Sequence, residues 1–217
     1  TEVLRILELT RYQKKLRGGV LEGNQVTVRL RNLSGDTSSI ETRLKKIAEQ
    51  GVPNYFGEQR FGRNNIEEAM AMIEGRRKVR DRHKRGLYLS AVRSLLFNAV
   101  LSRRVAEVTW NKALPGDTFM LDGSHSFFTA DVVDAEIEKR IAEHDIHPSG
   151  PLWGEGELST LADVRVLEEQ VLQNYQIECS GLESAGMKQQ RRALCVIPQQ
   201  FSWQYEDNDT LLLQFGL

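Results

Sequence analysis

Gly51-Val52-Pro53-Asn54-Tyr55-Phe56-Gly57-Glu58-Gln59-Arg60-Phe61-Gly62 is the stretch on which the reading of this chain turns. It joins two helical patterns but is too rich in glycine and aromatic residues for an ordinary linker. Glycine admits dihedrals closed to other residues and lets a backbone come close to a partner. Aromatic faces and an arginine fork hold a planar group. The same composition also suits a buried turn with two core phenylalanines, and the stretch alone leaves both readings open.

Outward from the stretch, the pattern on its N-terminal side is helical. Ile40, Leu44, Ile47 and Ala48 recur at helical spacing, Ser38 with Glu41 makes a capping box, and Gly51 and Pro53 end the helix. Before it, Val26, Val28 and Leu30 alternate with Thr27, Arg29 and Arg31, the period of a half-buried strand with a basic outer face. Val3–Leu9 reads as a further strand, followed by a basic turn containing Lys14, Lys15 and Arg17. On the C-terminal side, Asn64 and Glu67 repeat the capping logic for a short helix through Ile66, Ala69, Met70 and Ile73. Then come Arg76, Arg77, Lys78, Arg80, Arg82, Lys84 and Arg85, packed into ten residues around Asp81. Like charges that close repel one another, and a polyanion would relieve them; a solvated linker is the other reading. Asp81, among so many cations, is expected to stay ionised as a salt-bridge partner.

A long amphipathic helix is predicted from about Gly86 to Val108, then a hairpin of Asp117–Leu121 with Ser126–Thr129 and a helix through Val133, Ile137 and Ile141. Ile146–Glu157, with Pro148, Gly150, Pro151, Gly154 and Gly156, reads as a loop. The helix through Leu161, Val164, Leu167 and Val171 is expected to be capped by Ser159. Strands return at Ala193–Ile197, at Phe201, Trp203 and Tyr205, and at Thr210–Phe215. Strand-rich ends around a helical middle suggest an insertion, with residues 1–75 and 197–217 sharing one sheet.

The 217 residues carry a net charge of −1, which conceals an asymmetry. Residues 1–93 hold 20 Lys and Arg against 11 Asp and Glu, and the remainder is acidic in nearly equal measure. Such a division suggests that a polyanion docks on one side, and nucleic acid is the first candidate. Cys179 and Cys195 form neither a metal spacing nor a disulfide framework, so a reducing, cytoplasmic setting is expected. No apolar run is long enough to span a membrane. Phosphate-binding and dinucleotide-binding glycine motifs are missing, as is a nucleophile elbow. His144 and His147 lack a third clustered ligand and read as part of an exposed loop. The basic half together with the Gly/aromatic/Arg stretch suits recognition of single-stranded or flipped-base RNA.

Gly51–Gly62 also resembles the N-Y-F-G-x-Q-R-F-G signature of the tRNA pseudouridine synthase D (TruD) family. Lys14-Lys15-Leu16-Arg17, Gly23-Asn24, Arg80-Asp81-Arg82, Leu89-Ser90-Ala91, Leu96-Phe97-Asn98 and Pro198-Gln199-Gln200 with Ser202-Trp203 agree in the same order. The resemblance implies an α+β fold: a mixed, antiparallel-sheet pseudouridine synthase catalytic domain, present in part, with an α-rich insertion. The expected division is 1–77 and 197–217 for the catalytic part and 78–196 for the insertion. It implies isomerisation of uridine, typically uracil-13, to pseudouridine in tRNA, with an aspartate nucleophile and a flipped-out base, and without cofactor, metal, membrane or obligate protein partner. Asn54, Phe56, Gly57, Arg60 and Phe61 then fall on the substrate side, Asn54 contacting substrate and Phe56 packing on the target base. Lys14, Lys15, Arg17 and the cluster from Arg76 to Arg85 become candidate RNA contacts.

The family's aspartate lies in a G-x-K-D motif that this chain does not contain, and its P-A-G-S-F segment is also missing. The link from Gly62 to Asn65 is shorter than the family pattern. The chain starts without a methionine and ends on an apolar run, as a piece of a longer protein would, and is expected to be inactive alone. The alternative is a non-catalytic RNA-binding module that uses the same surface.

Overall fold

The computed structural model describes Arg11, residues 23–207 and residues 209–216. The expected strand at Val3–Leu9 and the candidate contacts Lys14, Lys15 and Arg17 lie outside the described residues. The chain divides into two compact units, Thr1–Asp36 with Pro198–Leu217, and Thr37–Ile197. No helix among the described residues is long and apolar enough to cross a membrane.

In the first unit, β1 (Gln25–Leu30) is paired antiparallel to the C-terminal strand Leu211–Gly216, which pairs in turn with Gln199–Tyr205. The alternation holds at Val26 and Val28, half-buried while Thr27 and Arg29 are exposed, and lapses at Leu30, which is exposed too. The outer face is less basic than expected, because Arg29 Nε lies 2.6 Å from Glu206 Oε2. A bulge interrupts the pairing between Gln199 and Ser202, where Gln200 takes a positive φ of 51°.

The second unit begins with α1 (Thr37–Gln50), β2 (Val52–Pro53), α2 (Glu58–Phe61) and α3 (Asn65–Ile73). The long helix α4 (Arg82–Ala106) follows, then the hairpin β3 (Thr118–Leu121) and β4 (Phe127–Thr129). After α5 (Ala135–Ala142) come β5 (Ile146–Leu152), α6 (Ala162–Leu172) and α7 (Gln176–Ser184). The strands β6 (Gln190–Ala193) and β7 (Cys195–Val196) close the unit, and β8 and β9 are the two strands of the first unit already given. Antiparallel β4, β3, β5 and β6 lie side by side in that order, and β2 pairs separately with β7.

Helix α4 is the axis of this unit. Leu89, Val92, Leu96 and Val100 pack with Ala69, Leu172, Cys179 and Leu182 of α3, α6 and α7. Phe97 and Leu101 pack with Leu194 on another side. Two buried ion pairs are well supplied with partners. Arg104 reaches both Asp117 oxygens at 2.8 and 3.0 Å and the carbonyls of Thr109 and Lys112. Arg191 meets Glu168 at 2.9 and 3.2 Å, and Thr160 Oγ1 donates to the same carboxylate. Because their hydrogen-bonding groups are met, these charges tolerate burial.

Several expectations are overturned. Ile146–Leu152 is a buried central strand, not a loop. Pro148 cannot donate an amide hydrogen, but its carbonyl accepts from Leu194 N at 2.8 Å. Gly150 is there because Leu194 and the α4 residue Phe97 both come close: a Cβ would stand 2.9 Å from Leu194 Cδ2 and 3.1 Å from Phe97 Cε2. His147 is buried within this strand, its Nε2 2.9 Å from Asp122 Oδ1, so it does not belong to an exposed loop. Ser159 caps nothing; its hydroxyl accepts from Thr118 Oγ1 and its carbonyl from Thr129 Oγ1. Asn64 makes no side-chain cap bond, and α1 starts at Thr37, which places Ser38 in the first turn.

Candidate functional site

The Gly51–Gly62 stretch is not a plain loop. Gly51 terminates α1, donating to the Ile47 carbonyl at 3.0 Å. Its φ is +73°, and a Cβ would sit 2.6 Å from the Val196 carbonyl oxygen, so glycine is required both for the dihedral and for the approach of β7. Val52 and Pro53 then pair with Val196 and Cys195. Asn54 continues the attachment, its backbone N–H donating to the Leu194 carbonyl at 2.8 Å and its Nδ2 to the Ala193 carbonyl at 3.0 Å. Cys195, enclosed behind this segment, has its thiol pushed up to about 12 by burial.

Helix α4 holds the middle of the stretch. Asn98 accepts from the Phe56 backbone N–H and donates to the Phe56 carbonyl, each at 2.9 Å. The Tyr55 hydroxyl donates to Ser102 Oγ at 3.2 Å, and Arg60 Nη1 to Ser90 Oγ at 3.1 Å. Ser90, Asn98 and Ser102 are separated by multiples of four, which places them along one face of the helix. Thus four hydrogen bonds to three side chains of α4 fix an otherwise irregular segment to the longest helix of the unit.

Above this attachment, Phe56 is half-buried. Its ring meets Phe97 edge-on at 5.5 Å, while the Arg192 guanidinium lies 4.2 Å and the Arg60 guanidinium 5.2 Å from its centroid. Arg192 also donates from Nη2 to Asn54 Oδ1 at 2.7 Å. Burial, and then the nearby charge of Arg60, hold the Arg192 guanidinium below its ordinary pKa. Asn54, Phe56 and Arg60 are therefore brought together around Arg192. Gly57 precedes α2 with an ordinary φ of −81°, and no atom lies within 4 Å of the place its Cβ would take. Phe61 is half-buried at the end of α2.

A cleft of about 630 Å³ next to Arg60 is lined by Arg82, His83, Gly86, Leu87 and Ser90. A second groove of about 750 Å³ carries Arg77, Lys78 and Arg85 over the apolar side chains of Ile73, Leu89 and Ile177. The basic cluster is exposed. Within it, Arg76 pairs with Glu74 and Arg77 with Glu68. Asp81 is held below the usual carboxylate range, chiefly by the backbone N–H of Lys84 and also by that of His83, so it is the N-cap of α4 more than a salt-bridge partner.

The profile of the family described as tRNA pseudouridine synthase D (TruD) matches residues 2–75 and 68–217. The chain belongs to the TruD family. A tRNA pseudouridine synthase D of Hydrogenovibrio crunogenus is 45% identical over 214 residues, covering 98% of this chain and 62% of the relative. One of Aeromonas hydrophila is 47% identical over 219 residues, covering 100% and 61%. The chain therefore spans about three-fifths of the length of these relatives. A crystal structure of a Methanosarcina mazei protein described as a TruD has the same fold, with a TM-score of 0.68 and 19% identity over 96% of this chain and 68% of that one.

The TruD signature supplies Asn54, Phe56 and Arg60, whereas Asn98, part of a matching motif but with no role assigned from sequence, and Arg192, which no sequence motif singles out, hold them in place. Asn98 was visible as a polar residue at four- and eight-residue spacing from Ser102 and Ser90. Arg192 had a fainter signal: it alternates with the buried Arg191 along β6 and so points to the other side of the sheet.

Proposed function

We propose that the whole protein isomerises uridine to pseudouridine in tRNA, and that Gly51–Gly62 forms one wall of the site. The observation that carries this reading is the convergence of Asn54 and Phe56, two residues of the family signature, on a segment anchored to α4, β6 and β7. A flipped base needs a flat apolar surface and a directional polar contact. Phe56 supplies the first and the Asn54 amide the second. Gly57, which its own chain does not constrain, leaves room beside them, and Arg60 and Phe61 complete the wall. The nucleophile in this reading is an aspartate of the G-x-K-D motif, outside the 217 residues, so this polypeptide alone forms no pseudouridine. That carboxylate bonds to the ribose of the flipped nucleotide as the glycosidic C–N bond breaks; the base then bonds back through a ring carbon as the carboxylate leaves, that carbon loses its proton, and the freed ring nitrogen takes one up. The reaction needs no cofactor or metal, and its place is the cytoplasm.

Phosphates of the tRNA are assigned to Lys78, Arg80, Arg82, Lys84 and Arg85, with Arg76 and Arg77 reached by exchange of their glutamate partners. Lys14, Lys15 and Arg17 are assigned to the same role by family resemblance. Functionally, residues 78–196 are the insertion, and 1–77 with 197–217 belong to the catalytic domain.

The test is pseudouridine formation on an unmodified tRNA transcript by the whole protein and by its Asn54→Ala variant. Loss of a positioned contact is expected to slow turnover by about a hundredfold, with a modest drop in melting temperature from the two hydrogen bonds lost to Arg192 and Ala193. Wild-type turnover in the variant would remove Asn54 from the site, and no product from the wild-type protein would defeat the reading itself.

A further inference from the structure

We propose that Arg192 is a positioning residue for the isomerisation, fixing the Asn54 amide and the Phe56 ring in their working orientation; this rests on the uridine-isomerase reading above. Asn54 Oδ1 accepts from Arg192 Nη2 at 2.7 Å while Nδ2 donates to the Ala193 carbonyl at 3.0 Å. Flipping the amide would turn its NH2 towards the guanidinium and its oxygen towards a carbonyl, two repulsive contacts in place of two hydrogen bonds. The orientation is thereby settled before substrate arrives. One N–H and one lone pair of the amide are left over for a ligand.

The same guanidinium lies 4.2 Å from the Phe56 centroid and 5.6 Å from that of Phe97. A cation over a ring face resists displacement of the ring, and an arginine plane does so over a wider area than an ammonium. One side chain thus couples the polar and the flat parts of the wall.

Fold maintenance alone does not account for Arg192. Its neighbour Arg191 is buried and uses all three guanidinium nitrogens, on Glu168 and Ser149. Among the described residues the Arg192 side chain makes one hydrogen bond, to Asn54, and its buried Nε has no partner. A buried donor left unmet costs stability. The arrangement therefore favours holding Asn54 and Phe56 over completing a structural network.

The test is single-turnover and steady-state pseudouridine formation by the whole protein, comparing wild type, Arg192→Met, Arg192→Lys, Asn54→Ala and the Asn54→Ala/Arg192→Met double variant. Arg192→Met is expected to lower kcat by between about tenfold and a hundredfold, with KM changed less than about threefold. Arg192→Lys, which keeps the charge without the plane, should fall between Met and wild type. In the Asn54→Ala background the Met substitution should cost less than it does alone, because the part of its effect that runs through Asn54 is already lost and only the part that runs through the Phe56 ring remains. Wild-type kcat in Arg192→Met overturns the proposal, as does an undiminished loss in the Asn54→Ala background. If Arg192→Met does not fold, Arg192→Lys with unchanged kcat overturns it equally. A wild-type protein that makes no pseudouridine defeats the underlying reading, an outcome distinct from an active wild type with indifferent variants.

Discussion

Two glycines of this chain answer to different constraints. Gly150 lies in β5 between Leu194 and Phe97, which are 1% and 0% exposed and so have no free direction in which to retreat. An added Cβ would come within 2.9 Å of one and 3.1 Å of the other. Gly150→Ala should therefore lower unfolding free energy by about 1–3 kcal/mol, the usual cost of overpacking, read as a shift of the urea midpoint at constant slope. Gly57 meets nothing within 4 Å and has an ordinary φ. Gly57→Ala should leave stability within about 0.5 kcal/mol of wild type yet weaken tRNA turnover in the whole protein, since the proposed function gives the space beside it to the substrate. Equal loss of stability in both variants would refute the distinction. Composition treats both residues as loop markers. Only the packed neighbour separates them, which is why β5, with two prolines and a glycine, is illegible as a strand.

Elements were legible where their own residues carry the signal. Helix α4 has apolar positions at helical spacing, Phe201, Trp203 and Tyr205 alternate with polar residues, and short apolar runs mark the β3–β4 hairpin and Leu211–Gly216, so each lies close to its expected place. Caps were less legible, because a hydroxyl or amide near a helix start has other uses. Ser159 is consumed by Thr118 and Thr129, partners more than 25 residues away. Asp81 does cap α4, and here the expected ionisation is right while its main cause is backbone N–H donation, not the surrounding cations. The sign for stability follows. A carboxylate whose folded pKa is depressed contributes above its unfolded pKa and loses that contribution as pH falls through the folded value. Asp81→Ala should thus melt below wild type at pH 7, and the gap should start to narrow once the pH drops below about 4 and close below the depressed folded value. A gap that persists unchanged in acid would mean that Asp81 acts through packing.

At the scale of the whole molecule, charge is the most readable property, and its consequence belongs to binding more than to folding. The basic excess lies in residues 1–93, and its densest part, Arg76–Arg85, is exposed beside two concave surfaces. Which cations remain available was hidden in the sequence, since acidic partners come from other turns. Arg76 and Arg77 already hold Glu74 and Glu68, whereas no ion pair joins Lys78 or Arg85 to a carboxylate among the described residues. A phosphate must displace a glutamate at the first pair and only water at the second. Affinity of the whole protein for tRNA, measured between about 50 and 200 mM salt, should fall steeply. Lys78→Ala and Arg85→Ala should each weaken binding and reduce the log–log salt slope by about 1. Arg76→Ala should change both less, because the lost phosphate contact is offset by the ion pair no longer broken. A slope indifferent to all three substitutions would leave the cluster a solvated surface and move the RNA path elsewhere on the protein.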